Sequence, residues 1–548
     1  MKRRGFLKKL PAIAGSSFFL NGLAMNTMAG SGALQHIARS AANTDRVLVL
    51  IQLHGGNDGL NTTIPLDQYA LYQNLRPNIA IPNSGSRKAI TLDSTQPGNR
   101  IMGLHPDMMD LKGMYDQGKM AVVQGVGYEN MNGSHFRSRD IWYMGGNYDQ
   151  HLDSGWMGRY LNNDYPGFPE DYPNDANPDP PALEIGNTVS LAFHRANGIP
   201  MSIAVQNPEQ FYNLVTSVGG EPPESIANTY YGHELKWIMD IEEKSNQYAG
   251  RLKDVYENGS NSQTTYPELY PFNAPQNLVR NRLSPQLKMV ARLLKGGINT
   301  KIFLVRIGGF DTHAQQVEAY DTTMGIHSAL LYHISSAVRA FQDDLKNLGI
   351  EDRVLTMTFS EFGRRAISNG SYGSDHGTSA PMFVFGKYVN AGIYGDNPDL
   401  ANLINGNTAK QYDYRQLFVS ALKDWLGASD EAINATYFSE WVDDRIILTG
   451  DKVVGLNDDF RESRFKLNAC YPNPVIDLVN FSFFINADEY VSLQLFDLKG
   501  REVMSLAQGK YMAGEHFIQA DLSKLQAGSY VYFIKTPSMH TSRKLVKL

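Results

Sequence analysis

Five short clusters of acid, imidazole, amide and hydroxyl side chains punctuate this 548-residue chain: His54-Gly-Gly-Asn-Asp-Gly-Leu-Asn, Asn132-Gly-Ser-His-Phe-Arg, Gly308-Gly-Phe-Asp-Thr-His, Ser360-Glu-Phe-Gly-Arg-Arg and Gly373-Ser-Asp-His-Gly-Thr. Carboxylates and imidazoles ligate divalent ions and serve as general acids and bases. Each is costly to bury unless it is paired, solvated or metal-bound, so convergence of the five clusters on one site is the economical reading. The chain has one cysteine, Cys470, which leaves neither a disulfide nor a Cys-rich zinc module. Any metal must therefore rest on histidines and carboxylates. Simpler readings stand beside these. Asn57 and Asp58 between glycines fit a plain turn, Ser134 fits a helix N-cap, and Glu361 with Arg364 fits a structural ion pair.

The elements that must position these clusters are legible as short apolar runs. Val47-Leu-Val-Leu-Ile-Gln-Leu, Met120-Ala-Val-Val-Gln, Lys301-Ile-Phe-Leu-Val-Arg-Ile, Val354-Leu-Thr-Met-Thr-Phe and Met382-Phe-Val-Phe are β-branched or aromatic and bounded by glycine or polar turns. The spacing predicts helices over 107–117 and 328–348, the second with Leu331, Ile334, Val338, Phe341 and Leu345 on one face. Strands buried on both faces and separated by helices predict a mainly parallel α/β sheet flanked by helices. Ligands of such sheets bind at the carboxyl ends of the strands, which is where four clusters fall, the fifth standing just before the Met382 run. Residues 162–283 read differently: an Asp-, Asn- and Pro-rich loop, then a helical piece over 226–256, together predicting an insertion that caps the strand ends.

Both ends of the chain read as addresses. Residues 1–42 form a leader with Lys2, Arg3, Arg4, Lys8 and Lys9, an uncharged run from Leu10 to Gly30, and small residues around Ala24 to Ala29. The Arg3-Arg4 pair resembles a twin-arginine signal; read as an ordinary basic region it would address the Sec translocon, and export follows either way. The formal charge of -6 includes those five cations, and the rest of the chain stands at -11. That excess of acid lacks the basic field phosphate-backbone binding needs, which argues against nucleic acid as a partner. After a linker at 451–468, residues 469–548 show period-two alternation at Val491-Ser-Leu-Gln-Leu-Phe and Tyr530-Val-Tyr-Phe-Ile, punctuated by Gly500, Gly509, Gly514 and Gly528. This predicts a small all-β sandwich. Its Tyr471-Pro-Asn-Pro, Asn480-Phe-Ser-Phe, Leu495-Phe-Asp-Leu-Lys-Gly-Arg and Leu525-Gln-Ala-Gly-Ser-Tyr resemble the C-terminal sorting domain of the type IX secretion system. The resemblance implies the type IX machinery as a partner and a secreted or cell-surface protein.

The body at 43–450 resembles the DUF1501 family through HGGNDGLN, the SHF after VVQGVGY, GGFDTH, FSEFGR and DHGTSAP. By fold that family belongs to the alkaline-phosphatase and sulfatase superfamily, which implies an alkaline-phosphatase-like sheet. Carried over position by position, the resemblance implies a metal-binding Asp58 after the first strand and a nucleophilic Ser134 at a helix N-terminus. It implies further ligands at Asp311, His313, Glu361 and His376, with Asp375 beside the last. Phe362 stands where the superfamily has a histidine, so the two-metal complement is short of one ligand. Arg364 is expected to fork onto a phosphate or sulfate in partial compensation, and Asn57 and His135 to contact substrate. The implied cofactor is one or more divalent ions: calcium, magnesium or manganese by the oxygen-rich set, with zinc open. The implied activity is hydrolysis of phosphate or sulfate esters, with a small anionic ester or glycan as substrate; the alternative is a noncatalytic binding or assembly protein on the same scaffold. Formylglycine chemistry is excluded, because Cys470-Tyr-Pro-Asn-Pro lacks the arginine that sulfatase maturation requires.

Overall fold

A computed structural model describes residues 18–20, 23–25, 45–206, 247–450 and 465–548, the last with gaps at 468–469, 471–472, 486–487, 498–500, 513 and 537–539. The paired Arg3 and Arg4, residues 226–246 of the expected helical piece and 451–464 of the linker lie outside the described residues. The chain divides into two compact units, 1–451 and 452–548. Among the described residues no helix is long and apolar enough to cross a membrane.

In the first unit the strands of the main sheet and of the hairpin beside it are β1 (Val47–His54), β2 (Met120–Gly127), β3 (Ala182–Ile185), β4 (Ser202–Val205), β5 (Ile302–Gly308), β6 (Val354–Phe359), β7 (Arg364–Ser368), β8 (Ser374–His376), β9 (Ala380–Phe385), β10 (Gly392–Tyr394) and β11 (Tyr412–Asp413). The helices that cover them are α1 (Met109–Asp116), α2 (His135–Met144), α3 (Trp156–Asp164), α4 (Ser284–Lys295), α5 (Ile326–Asn347) and α6 (Tyr414–Ser420). The main sheet runs β10-β2-β9-β6-β1-β5-β3-β4, with β11 beside β2. Every pairing is parallel except those of β9, which is antiparallel to both β6 and β2.

β1 shows why the sheet is buried on both faces. Val47, Val49, Ile51 and Leu53 enter one core with α1, α4 and α5, whereas Leu48 and Leu50 enter the other with α2, α3 and α6. Each such side chain contributes about 1.5–3 kcal/mol on burial. The predicted face of α5 is buried throughout, from Leu331 to Leu345. Two features differ from expectation. β9 runs against its neighbours, so the Asp375-His376 cluster that precedes it arrives at the same edge as the clusters that follow parallel strands. In the segment read as a cap, β3 and β4 extend the sheet itself, and a helix spans 247–258.

The second unit has β12 (Phe465–Leu467), β13 (Leu478–Ile485), β14 (Glu489–Asp497), β15 (Glu502–Tyr511), β16 (Gly514–Asp521), β17 (Gly528–Lys535) and β18 (His540–Lys547). They form two antiparallel sheets, β12-β13-β16 and β15-β14-β17-β18. Alternate residues Val479, Phe481 and Phe483 of one sheet share a core with Val491, Leu493, Leu495, Tyr532 and Ile534 of the other. The rings of Phe481 and Tyr532 meet across it at 4.9 Å. Cys470 is buried in that core and donates its backbone N–H to the Tyr532 hydroxyl at 3.0 Å.

Candidate metal centre

The loops leaving β1, β5 and β6 are brought into contact before any reactive side chain is placed. Gly55 adopts φ 124°, and a Cβ on it would come within 2.3 Å of the Asp311 backbone nitrogen, so only glycine lets the β1 and β5 loops approach this closely. The Gly55 N–H donates to Glu361 Oε1 at 2.8 Å, and the Asn57 N–H donates to Ser360 Oγ at 2.9 Å. Arg364 then ties the three loops together. Its fully buried guanidinium donates to the carbonyls of Gly55, Gly56, Phe310 and Ser374 and to Asp311 Oδ1 at 2.8 Å.

Around Asp311 the structure gathers His135, His313 and His376. Asp311 Oδ1 lies 3.2 Å from His313 Nε2 and 3.3 Å from His376 Nε2, while Oδ2 lies 3.3 Å from His135 Nε2. The two Nε2 atoms of His313 and His376 are 2.8 Å apart. His135, Asp311 and His376 each offer a ligand atom within 4.8 Å of the others. His135 comes from the first turn of α2, Asp311 and His313 from the loop after β5, and His376 from β8, held opposite Arg364 of β7.

The opposite nitrogen of each ring faces an oxygen. His376 Nδ1 donates to the Gly133 carbonyl at 2.6 Å, His313 Nδ1 faces Asp375 Oδ1 at 3.2 Å, and His135 Nδ1 faces Glu361 Oε1 at 3.0 Å. A carbonyl or carboxylate only accepts, so each Nδ1 carries a proton, and in the neutral ring each Nε2 then presents a lone pair toward Asp311. Lone pairs 2.8 Å apart beside a carboxylate repel unless a proton or a cation lies among them. The donor set thus fits a divalent cation.

The two acids Asp311 and Asp375 are held ionised, whereas the imidazoles of His376 and His135 shift in opposite directions. Burial raises the Asp311 carboxyl, but the hydrogen bond and charge of Arg364, with the neighbouring histidines, outweigh it and hold the group at about 2. Burial lowers the His376 imidazole below its usual value, disfavouring an imidazolium there. The Glu361 hydrogen bond raises His135 against its own burial. Burial also raises Asp375, yet the hydrogen bonds from Asn369 and His313 bring it below the usual range, so it remains a charged acceptor.

The residues expected from the sequence therefore divide. Asp311, His313 and His376 come together, and His135, expected to contact substrate, joins them. Glu361 and Asp375, expected as ligands, instead stand behind His135 and His313 as acceptors. Asp58 is fully buried, its Oδ2 bonded to Arg76 Nη1 at 2.6 Å and to Gln316 Nε2 at 2.5 Å. Asn57, also expected to contact substrate, is buried with its Oδ1 3.1 Å from both Thr62 Oγ1 and His327 Nε2. Arg364 cannot fork onto a ligand, because the loop carbonyls and Asp311 take its donors. Ser134 is exposed at the N-cap of α2 between Gly133 and His135, and its Oγ accepts the Arg137 N–H at 3.4 Å. Asp58 Oδ1, Asn57 Nδ2 and Glu361 Oε2 are buried without a hydrogen-bond partner. Sequence reasoning passed over Arg76, which no local signal connects to Asp58, and His54, whose place at the end of β1 was itself a signal.

Residues 257–437 match the family described as "Protein of unknown function (DUF1501)", and residues 469–548 match the family described as "Secretion system C-terminal sorting domain". The first match includes Asp311, His313 and His376 but not His135, and the second indicates secretion or cell-surface placement. No curated protein matches the sequence. Among solved structures, it is similar to the PsFucS1 sulfatase from Pseudoalteromonas sp. at 8% identity, over 94% of this chain and 89% of that one, with a TM-score of 0.33. It is also similar to a protein in the alkaline phosphatase superfamily from Vibrio parahaemolyticus, at 10% identity over 88% and 91% of the two chains and a TM-score of 0.29. Latent PorU from Porphyromonas gingivalis shares 24% identity with 15% of this chain, which spans 9% of PorU, at a TM-score of 0.14.

Proposed function

We propose that the chain is an exported, metal-dependent hydrolase of phosphate or sulfate esters, with His135, Asp311, His313 and His376 as its metal ligands. One observation carries the reading: three imidazoles whose Nδ1 atoms face fixed acceptors turn their Nε2 atoms toward a single carboxylate. Three imidazoles to one carboxylate shift the preference from calcium or magnesium toward zinc, manganese or iron. When bound, a divalent ion supplies Lewis-acid stabilisation of negative charge on the ester oxygens.

The chain's own residues do the rest. Ser134 Oγ is the proposed attacking group, because it stands on the first turn of α2 beside His135, where unpaired backbone N–H groups and the helix dipole favour an alkoxide and a bound oxyanion. Gly133, Glu361 and Asp375 hold the three imidazoles in the ligating tautomer. Export is proposed to end with the type IX machinery, which the sorting domain addresses. A noncatalytic binding protein is the second reading, and it draws on Asp58 and Arg364, both engaged in internal contacts.

Metal analysis of the purified protein, followed by a panel of aryl phosphates and sulfates with and without chelator, tests the proposal. Bound metal and chelator-sensitive turnover are expected, with both lost in Asp311→Asn and turnover alone lost in Ser134→Ala. A protein with bound metal and no turnover on any member of the panel supports the second reading.

A further inference from the structure

The guanidinium groups near the centre are engaged, with one exception. Arg364 is fully buried, with its Nε, Nη1 and Nη2 all donating to carbonyls or Asp311. Arg137 donates to the carbonyls of Tyr148 and Gln150. Arg306 donates to Gln52 Oε1 at 2.7 Å and to Glu184 Oε1 at 3.0 Å, and Arg365 donates to the Asn405 carbonyl at 3.0 Å. Among the described residues the Arg139 side chain donates no hydrogen bond and makes no ion pair; its guanidinium carbon lies 5.5 Å from the centre of the Phe136 ring, which is 73% exposed.

The placement of Arg139 follows from the register of α2. It stands one turn after His135 and one turn before Tyr143, so the three share a face of the helix. Tyr143 donates to Gln52 Oε1 at 2.7 Å, and Gln52 and His54 share a face of β1. The His54 ring stacks on that of His135, with centroids 6.4 Å apart and planes at 25°. Arg139 therefore sits level with the gap between the Tyr143–Gln52 contact and the His54–His135 stack. Neither ring nitrogen of His54 has a hydrogen-bond partner among the described residues. An imidazole carries at least one N–H in either protonation state, so His54 has a donor to offer.

Unengaged donors on two elements thus face the same side of the centre, one of them a permanent cation. We infer that Arg139 and His54 form a subsite for a tetrahedral oxyanion beside the His135–Asp311–His376 centre. That this anion is the phosphate or sulfate group of a substrate rests on the hydrolase reading; the subsite itself does not. Arg139 supplies charge and a planar pair of N–H donors, and His54 supplies one donor on the side of the stacked imidazoles. Phe136 presents its ring face beside the guanidinium.

Calorimetric titration of the full-length chain, both as metal-free protein and loaded with Zn(II), with inorganic phosphate and separately with inorganic sulfate, tests the subsite. Metal content is measured on the same samples. Arg139→Gln is expected to weaken binding of the preferred anion by about 10–100-fold with metal content unchanged. Arg139→Lys keeps the charge without the fork and is expected to fall between the two. His54→Phe keeps the stacking and loses the donor, with an expected loss of about 3–10-fold. The arm that binds more tightly names the anion. Unchanged affinity in Arg139→Gln, or no measurable binding of either anion by the parent, overturns the subsite. A parent that takes up no metal while still binding anion through Arg139 overturns the hydrolase reading and leaves the subsite standing.

Discussion

Glu361 and Asp375 face the Nδ1 atoms of His135 and His313, behind the rings and away from Asp311. A carboxylate behind a ligating imidazole fixes its tautomer and raises its basicity. Glu361 is also anchored by the Gly55 N–H, so one buried side chain couples the β1 loop to the orientation of His135. Behind this layer lie two buried histidines, His105 and His327, with rings 6.5 Å apart. Burial lowers both, His327 to about 4 from 6.5. The sign follows from proton counting: between pH 6.5 and 4 the unfolded chain binds a proton at His327 that the folded chain does not, so stability is full above the unfolded value and is lost as pH falls. Roughly 2 kcal/mol of loss between pH 7 and 4.5 is expected from His327 alone. Urea unfolding across that range should show a shallower pH slope in His327→Gln than in the parent, whatever the variant's stability at pH 7.

At the level of elements, the site depends on backbone approach as much as on side chains. The β1 and β5 loops touch at Gly55, and the β7–β8 hairpin brings His376 across from Arg364. Gly55→Ala combines an unfavourable φ with an overlap against fixed backbone, so it should cost at least about 3 kcal/mol. If the variant still folds, it should do so by parting the two loops, which a competition assay against a chelator would register as weakened metal uptake. Unchanged stability and uptake would show that the loop contact does not define the centre. Element existence was legible where runs were long: β1, β5 and β6 follow their apolar text, and α5 buries its predicted stripe. β3 and β4 escaped notice because each has four residues inside a segment whose Pro- and Asn-rich opening reads as loop. The reversed direction of β9 was equally hidden, since strand direction depends on the connection and not on the strand's own residues.

At the scale of the molecule, two units carry separate cores, and all of the candidate ligands lie in the first. Bound metal stabilises only the unit that binds it, by mass action. Calorimetric unfolding is therefore expected to show two transitions, with excess Zn(II) raising the midpoint of one by several degrees and leaving the other in place. A single transition, or two that move together with metal, would contradict independent units.

The sequence by itself determined the class of the fold, the sorting domain and the neighbourhood of the site, because strand periodicity, regularly spaced turns and polar clusters at strand ends are local properties. It also singled out Asp311, His313 and His376, candidate ligands that the structure brings together from two segments. Only the tertiary structure decided how the remaining polar residues are used. A carboxylate in a glycine-rich loop reads alike whether it meets an ion or, as Asp58 does, the guanidinium of Arg76. Arg364 reads alike whether it faces a ligand or four carbonyls, and His135 joins the cluster because the first turn of α2 sets it against Glu361, Asp311 and His376. Such partners are distant in sequence and close in space, and the roles of these side chains follow from those partners.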